Sequence, residues 1–110
     1  MKVGIIRCMQ TEDYCPGITD FKAIKNRTGV FEGVDEEIEI VGFTSCGGCP
    51  AKKALLRARL LVEKGADTIV FASCITKGTP IGYPCPFAKK MKAIIEKDLG
   101  DKVTLLDHTH

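Results

Sequence analysis

Residues 37–65 read EIEIVGFTSCGGCPAKKALLRARLLVEKG. The first seven positions alternate and then turn wholly apolar, the pattern of a strand entering a core. A turn with two glycines and two cysteines follows. Beyond it the apolar period changes: Ala51, Ala54, Leu55, Ala58, Leu61 and Val62 recur at helical spacing, and Gly65 stops the run. Lys52, Lys53, Arg57 and Lys64 fall mostly on the other side. Pro50 suits the first helical position, where its missing N–H costs nothing. Strand, turn and helix in this order are the first half of a βαβ unit.

The same grammar holds on either side. Upstream, Met1 to Arg7 (MKVGIIR) is a short β-branched apolar run that ends at Cys8. A polar loop containing Cys15-Pro16-Gly17 leads to Thr19 and Asp20, which can cap a short helix carrying Phe21 and Ile24. A loop then turns Phe31 inward. Downstream, Asp67 to Ala72 (DTIVFA) is a third strand ending at Ser73-Cys74. Residues 75–84 are rich in Gly and Pro and read as a loop over the strand ends. Pro86 opens a last helix with an apolar stripe of Phe87, Met91, Ile94, Ile95 and Leu99. Lys102 to Leu106 (KVTLL) is a fourth strand, followed by Asp107-His108-Thr109-His110. The order βαβαβαβ predicts an α/β fold with right-handed crossovers. The expected architecture is one domain over residues 1–110: a three-layer sandwich, with a mainly parallel four-stranded sheet of flavodoxin or Rossmann type and helices on both faces.

Composition narrows the function. The chain has 110 residues, 45% apolar, and a formal charge of +2. Its basic residues are spread over the helices, while Glu32, Asp35, Glu36, Glu37 and Glu39 cluster. That is not the basic stripe of a nucleic-acid binder, and two Tyr, five Phe and no Trp supply few stacking platforms. No apolar run approaches the roughly 18 residues of a membrane span, and Met1 leads straight into a strand without a leader. The expected compartment is the cytoplasm, where thiols stay reduced. Six cysteines there point to metal binding or redox chemistry rather than a disulfide framework.

The cysteines follow the fold. Cys8, Cys46 and Cys74 each stand past a strand, and Cys15, Cys49 and Cys85 each precede a proline ahead of a helix. In a parallel sheet, strand C-termini and helix N-termini share one edge. That edge should gather all the thiols, with His108 at the end of the fourth strand beside them. Cys49 and Cys85, as helix N-caps, should have lowered pKa values. In Cys46-Gly47-Gly48-Cys49 the two-residue spacing lets both sulfurs reach one metal or each other. Gly47 and Gly48 permit unusual backbone angles and should leave N–H groups free for sulfur.

Three chemistries fit this pattern. A metal centre needs four ligands, and Cys8, Cys46, Cys49 and Cys74 are the first four; zinc or an iron–sulfur cluster accepts such a set. A thiol–disulfide oxidoreductase would use the Cys46/Cys49 dithiol. An anion could sit on Gly47-Gly48 with Lys52 and Lys53, although GxGxxG and the P-loop pattern are absent. Any single cysteine at a strand end is equally at home as packing, and His110 stands where chains fray.

Cys46-Gly47-Gly48-Cys49-Pro50 after an apolar strand, the early Cys8, Ser73-Cys74 after the third strand and a late Cys85-Pro86-Phe87 together resemble the CGGC-domain family. The similarity spans essentially the whole chain. It implies a metal-binding protein, zinc being the usual suggestion, whose partner is a metal ion or cluster; it implies no established reaction. Carried over residue by residue, the metal set is Cys8, Cys46, Cys49, Cys74, Cys85 and His108; Gly47 and Gly48 are expected beside the cofactor on the ground of their N–H groups. Family members often carry a histidine just before the late cysteine; Gly82, Tyr83 and Pro84 stand there instead.

Overall fold

A computed structural model describes residues 1–79 and 82–110. Four strands form one parallel sheet in the order β2-β1-β3-β4, with β1 Lys2–Arg7, β2 Glu39–Ser45, β3 Thr68–Phe71 and β4 Thr104–Leu106. The helices are α1 Ile18–Asn26, α2 Ala54–Glu63, the single turn α3 Ser73–Thr76, and α4 Ala88–Leu99. This is the expected α/β sandwich. The central strands β1 and β3 are apolar and buried along almost their whole length, as strands covered on both faces must be.

The helices divide between the faces according to strand alternation. Gly4 and Gly42 are register partners on β1 and β2. A Cβ on Gly4 would lie 2.8 Å from Leu61 Cδ1, and one on Gly42 would lie 2.5 Å from Leu61 Cδ2. The glycine pair is a dent in the sheet, and Leu61 of α2 fills it. Phe43, next along β2, points the other way and meets the ring of Phe21 of α1 at 5.1 Å. Helix α4 packs beside α2, and Arg59 of α2 donates to Asp98 of α4 at 2.8 Å. One helix therefore covers one face and two cover the other. Phe31, expected inward, is fully buried.

Several boundaries differ from the sequence reading. Helix α2 starts at Ala54, four residues after Pro50. Residues 49–53 form turns, and Ala51 has φ +72°, which no helix tolerates. Helix α4 starts at Ala88 rather than Pro86. The N-caps are thus Lys53 and Phe87, not Cys49 and Cys85. The segment read as loop from residue 75 instead begins in α3, which holds Cys74 in its first turn. Pro80 and Ile81, in the same Gly/Pro-rich stretch, lie outside the described residues.

Candidate thiol site

The order β2-β1-β3-β4 reverses direction between β1 and β3. In open α/β sheets the crevice at the carboxyl ends of two such strands is where ligands bind. Cys8 directly follows β1, and Cys74 is the second residue of α3, which one residue separates from β3. The two meet there: the Cys8 N–H donates to Cys74 Sγ at 3.2 Å, although 66 residues separate them. Cys46 directly follows β2, its N–H donating to the Arg7 carbonyl at 2.7 Å. Three strand ends thus deliver three buried thiols to one edge.

A cleft of about 300 Å³ opens over this crevice, lined by Cys8, Cys49, Cys74 and Cys85 with Gln10, Tyr83 and Pro86. Cys49 is exposed and Cys85 half-buried. Cys46 does not line the cleft but lies within electrostatic reach of Cys8 and Cys85. Five of the six thiols therefore gather. Cys15 faces a neighbouring cavity of about 370 Å³, whose wall it shares with Cys74, Asp20 and His110. Cys74 borders both spaces. His108 is half-buried and lines neither cavity; His110 is the histidine near the thiols. All six cysteines are free thiols.

Burial controls the protonation of three of these thiols, Cys8, Cys74 and Cys85. It is the main cause that pushes Cys8 up, with the nearby Cys46 and Cys85 adding to the rise against the backbone N–H groups of Gln10 and Thr11. Burial likewise raises Cys74, opposed by the Cys8 N–H and the Thr11 hydroxyl. Cys85 is raised by burial first, opposed by the Phe87 N–H and reinforced by Cys49, Cys46 and Cys74. A helix N-cap thiol should have been lowered. Cys85 stands ahead of the helix, its sulfur accepting one N–H, from Phe87 at 3.4 Å, and desolvation wins.

The glycines adopt the unusual backbone angles expected of them, but the Gly47 N–H is not free. Gly47 has φ +80°, and a Cβ there would meet Lys53 Cβ at 2.5 Å, so the turn requires glycine. Its N–H is not free for sulfur, since it donates to Ser45 Oγ at 3.3 Å. Gly48 has φ +109° and its carbonyl accepts from Ala51 and Lys52.

Two buried features beside the thiols had no periodic signal. Arg7 is 8% exposed and makes no ion pair among the described residues. Its guanidinium donates to the Cys8 carbonyl and to Thr11 Oγ1 and lies 5.9 Å from the centre of the Phe43 ring. The second feature is a polar knot. Ser73 Oγ receives the N–H groups of Thr109 and His110 and donates to the His110 carbonyl, while the Thr109 hydroxyl donates to the carboxylate of buried Asp20. It pins residues expected to fray. Ser73→Ala should cost about 1–3 kcal/mol, because it strands buried N–H groups. Urea unfolding measures the loss; unchanged stability would mean that the knot does not hold the tail.

The donor chemistry suits a soft or borderline metal: several thiols, mutually close, in a half-buried crevice. Among the described residues, no three Cys, His, Asp or Glu side chains already stand in a metal-holding arrangement. Cys74 and Cys85 instead accept backbone hydrogen bonds from the Cys8 and Phe87 N–H groups, so coordination there requires the side chains to turn and lose their protons.

The CGGC domain matches residues 2–110. The chain belongs to the CGGC-domain family. Among curated proteins, it is 40% identical over 93 residues to an uncharacterised protein of Methanocaldococcus jannaschii, covering 79% of this chain and 69% of the relative. A second uncharacterised protein of that organism is 42% identical over 65 residues, covering 58% of this chain and 92% of the relative. No solved structure matches. The family suggests a metal-binding role. Among the described residues no helix is long and apolar enough to cross a membrane.

Proposed function

We propose that this CGGC-domain protein binds a thiophilic metal, as zinc or an iron–sulfur cluster, at the crevice between β1 and β3. The observation that carries the reading is the meeting of Cys8 and Cys74 at the strand-order reversal, with Cys49 and Cys85 lining the same cleft. The ligands are drawn from Cys8, Cys46, Cys49, Cys74 and Cys85. Bound zinc would supply a closed four-thiolate site, and a cluster would supply one-electron chemistry. Cys8, directly after β1, and buried Cys74, in the turn after β3, would anchor the site. Cys49, which is exposed, and Cys85, which is half-buried, would complete it. Arg7 places a buried positive charge beneath a site that becomes anionic on loading. A reducing, cytoplasmic setting fits six unpaired thiols.

Anaerobic purification followed by elemental analysis and an absorption spectrum tests this. Stoichiometric zinc without colour, or iron with sulfide and a broad visible band, supports it. Protein that takes up neither metal after reduction and reconstitution sinks it. Binding should also be strongly pH-dependent. Cys8, Cys74 and Cys85 all have raised pKa values and carry protons at neutral pH. Each ligand thiol that sheds a proton adds roughly tenfold to the affinity per pH unit below its pKa. Calorimetry in buffers of different ionisation enthalpy should detect protons released on binding; none released would contradict thiol ligation. The metal-free fold has the opposite sensitivity. A thiol whose pKa is raised by folding destabilises the native state as pH climbs past its unfolded value of about 8.5.

One observation favours a second reading, a thiol–disulfide oxidoreductase. Within the CGGC turn Cys49 is exposed and Cys46 buried, the division expected of an attacking and a resolving thiol. Metal-free protein that reduces a disulfide substrate, and loses this on Cys49→Ser, would establish it.

A further inference from the structure

Strand β2 lies at one edge of the sheet, and its only strand partner among the described residues is β1. It runs seven residues, against three for β4 at the opposite edge. Every residue of β2 is exposed or half-buried, whereas β1 is buried beyond Lys2. The outward N–H and C=O groups of β2 find no backbone partner among the described residues. Natural proteins blunt such edges with lysine or proline, and β2 contains neither. Its one irregularity is Val41, skipped in the pairing; Gly42–Ser45 beyond it run in regular register with Gly4–Arg7. Apolar side chains gather on the same elements. Ile40 of β2, Leu56 and Leu60 of α2, and Ile18 and Phe21 of α1 are all exposed. Arg57 of α2 donates to Thr44 Oγ1 at 2.9 Å, which places that side of the helix over the edge strand. Leu60, one turn further on, shares that side. Charge is polarised along the edge. Asp35, Glu37 and Glu39 stand at the start of β2, and Lys52, Lys53 and Arg57 follow its end. None of the six makes an ion pair among the described residues. Lys53 is the N-cap of α2, where the helix dipole disfavours a positive charge.

We propose that β2 pairs with β2 of a second copy of this chain, antiparallel across a two-fold axis normal to the sheet. The occupant is set by self-complementarity. A two-fold axis reverses the edge, so the acidic start of each strand meets the basic end of the other. The same operation lays the two α2 helices side by side on one face, with Leu56 and Leu60 against their copies. The α1 helices approach on the other face. Backbone hydrogen bonds join the two sheets into one, the leucines supply burial, and the charges fix the orientation. The inference does not depend on the metal reading, because the edge and its charges belong to the metal-free chain.

Analytical ultracentrifugation of the full chain under thiol reductant, with and without a chelator, tests this. The expected result is a reversible, concentration-dependent doubling of mass in both conditions. Amides of Gly42–Ser45 that point away from β1 should exchange more slowly in the dimer. Leu60→Glu and Ile40→Lys, both at exposed positions, should each raise the dissociation constant about tenfold or more and leave the circular dichroism of the fold unchanged. The decisive pair reverses charge. Glu37→Lys/Glu39→Lys and Lys52→Glu/Lys53→Glu should each associate weakly alone. An equimolar mixture of the two should form a heterodimer, because opposite charges then meet again at both ends. A chain that stays monomeric at millimolar concentration, or a doubling of mass that the chelator abolishes, would overturn the proposal. So would indifference to Leu60→Glu and Ile40→Lys, failure of the mixed variants to pair, or growth beyond two copies.

Discussion

Cys74→Ser should reduce metal retained after anaerobic reconstitution to a small fraction of the wild-type amount. Cys74 is the thiol with the fewest alternatives. It is held in the first turn of α3, its sulfur accepts the Cys8 N–H, and it borders both the cleft and the cavity around Cys15. A serine oxygen fits the same space and can accept the same N–H, so the fold should survive. What disappears is a thiolate anchored to a strand end. Loss of an outer-sphere partner typically weakens a metal site about 10–100-fold, and loss of a ligand should exceed that. Cys8→Ser should behave alike. Cys15→Ser should retain metal, because Cys15 faces the other cavity. Competition with a chromogenic chelator gives the affinities. If Cys74→Ser and Cys8→Ser hold metal as the parent does while Cys46→Ser/Cys49→Ser does not, the centre lies at the CGGC turn alone and the crevice is mere packing.

The second large effect concerns the fold. Gly4→Val should destabilise by about 1–3 kcal/mol or more, since its Cβ would stand 2.8–3.1 Å from three carbons of Leu61. Leu61→Ala alone should cost about 2–5 kcal/mol by leaving the dent between Gly4 and Gly42 empty. The two changes are complementary. The double variant Gly4→Val/Leu61→Ala should recover part of both losses, giving a coupling of about 0.5–3 kcal/mol in a double-mutant cycle. Strict additivity in urea unfolding would show that Leu61 does not seat on the glycine pair. Because this contact is on the sheet's α2 face, away from the cleft, metal retention by the folded fraction should not change.

Much of this architecture was legible in residue periodicity. The buried runs of β1 and β3 and the helical stripes of α2 and α4 specified a parallel sheet, and strand-end cysteines then had to share an edge. What escaped notice was local. Proline after cysteine signals a helix start at Pro50 and Pro86, but the positive φ at Ala51 and the turn at residues 49–53 delay α2 by four residues. Such backbone angles leave no trace in apolar spacing. The raised pKa of Cys85 depends on the burial of its sulfur in three dimensions, which proximity to a helix start does not reveal. Cys15 shares the edge but faces another cavity, because the loop through the short 3-10 turn Met9–Thr11 turns it toward α1. Thr109 looks like a polar residue in a tail, yet it is fully buried because Asp20 and Ser73 accept and donate across long sequence distances. Arg7, read simply as the end of a strand, is a buried cation for which the sequence offers no adjacent acid.

The pairing of Cys8 with Cys74 across 66 residues has a thermodynamic consequence. In the unfolded chain these sulfurs rarely meet, so an ion gripping both would bind the folded form almost exclusively. At a free metal concentration 1,000 times the dissociation constant, that linkage is worth about 4 kcal/mol, a large share of what keeps a domain of this size folded. Heating should then unfold the chelated form well before the loaded one. Inside a cell, the lifetime of a polypeptide loaded in this way would track the supply of the ion.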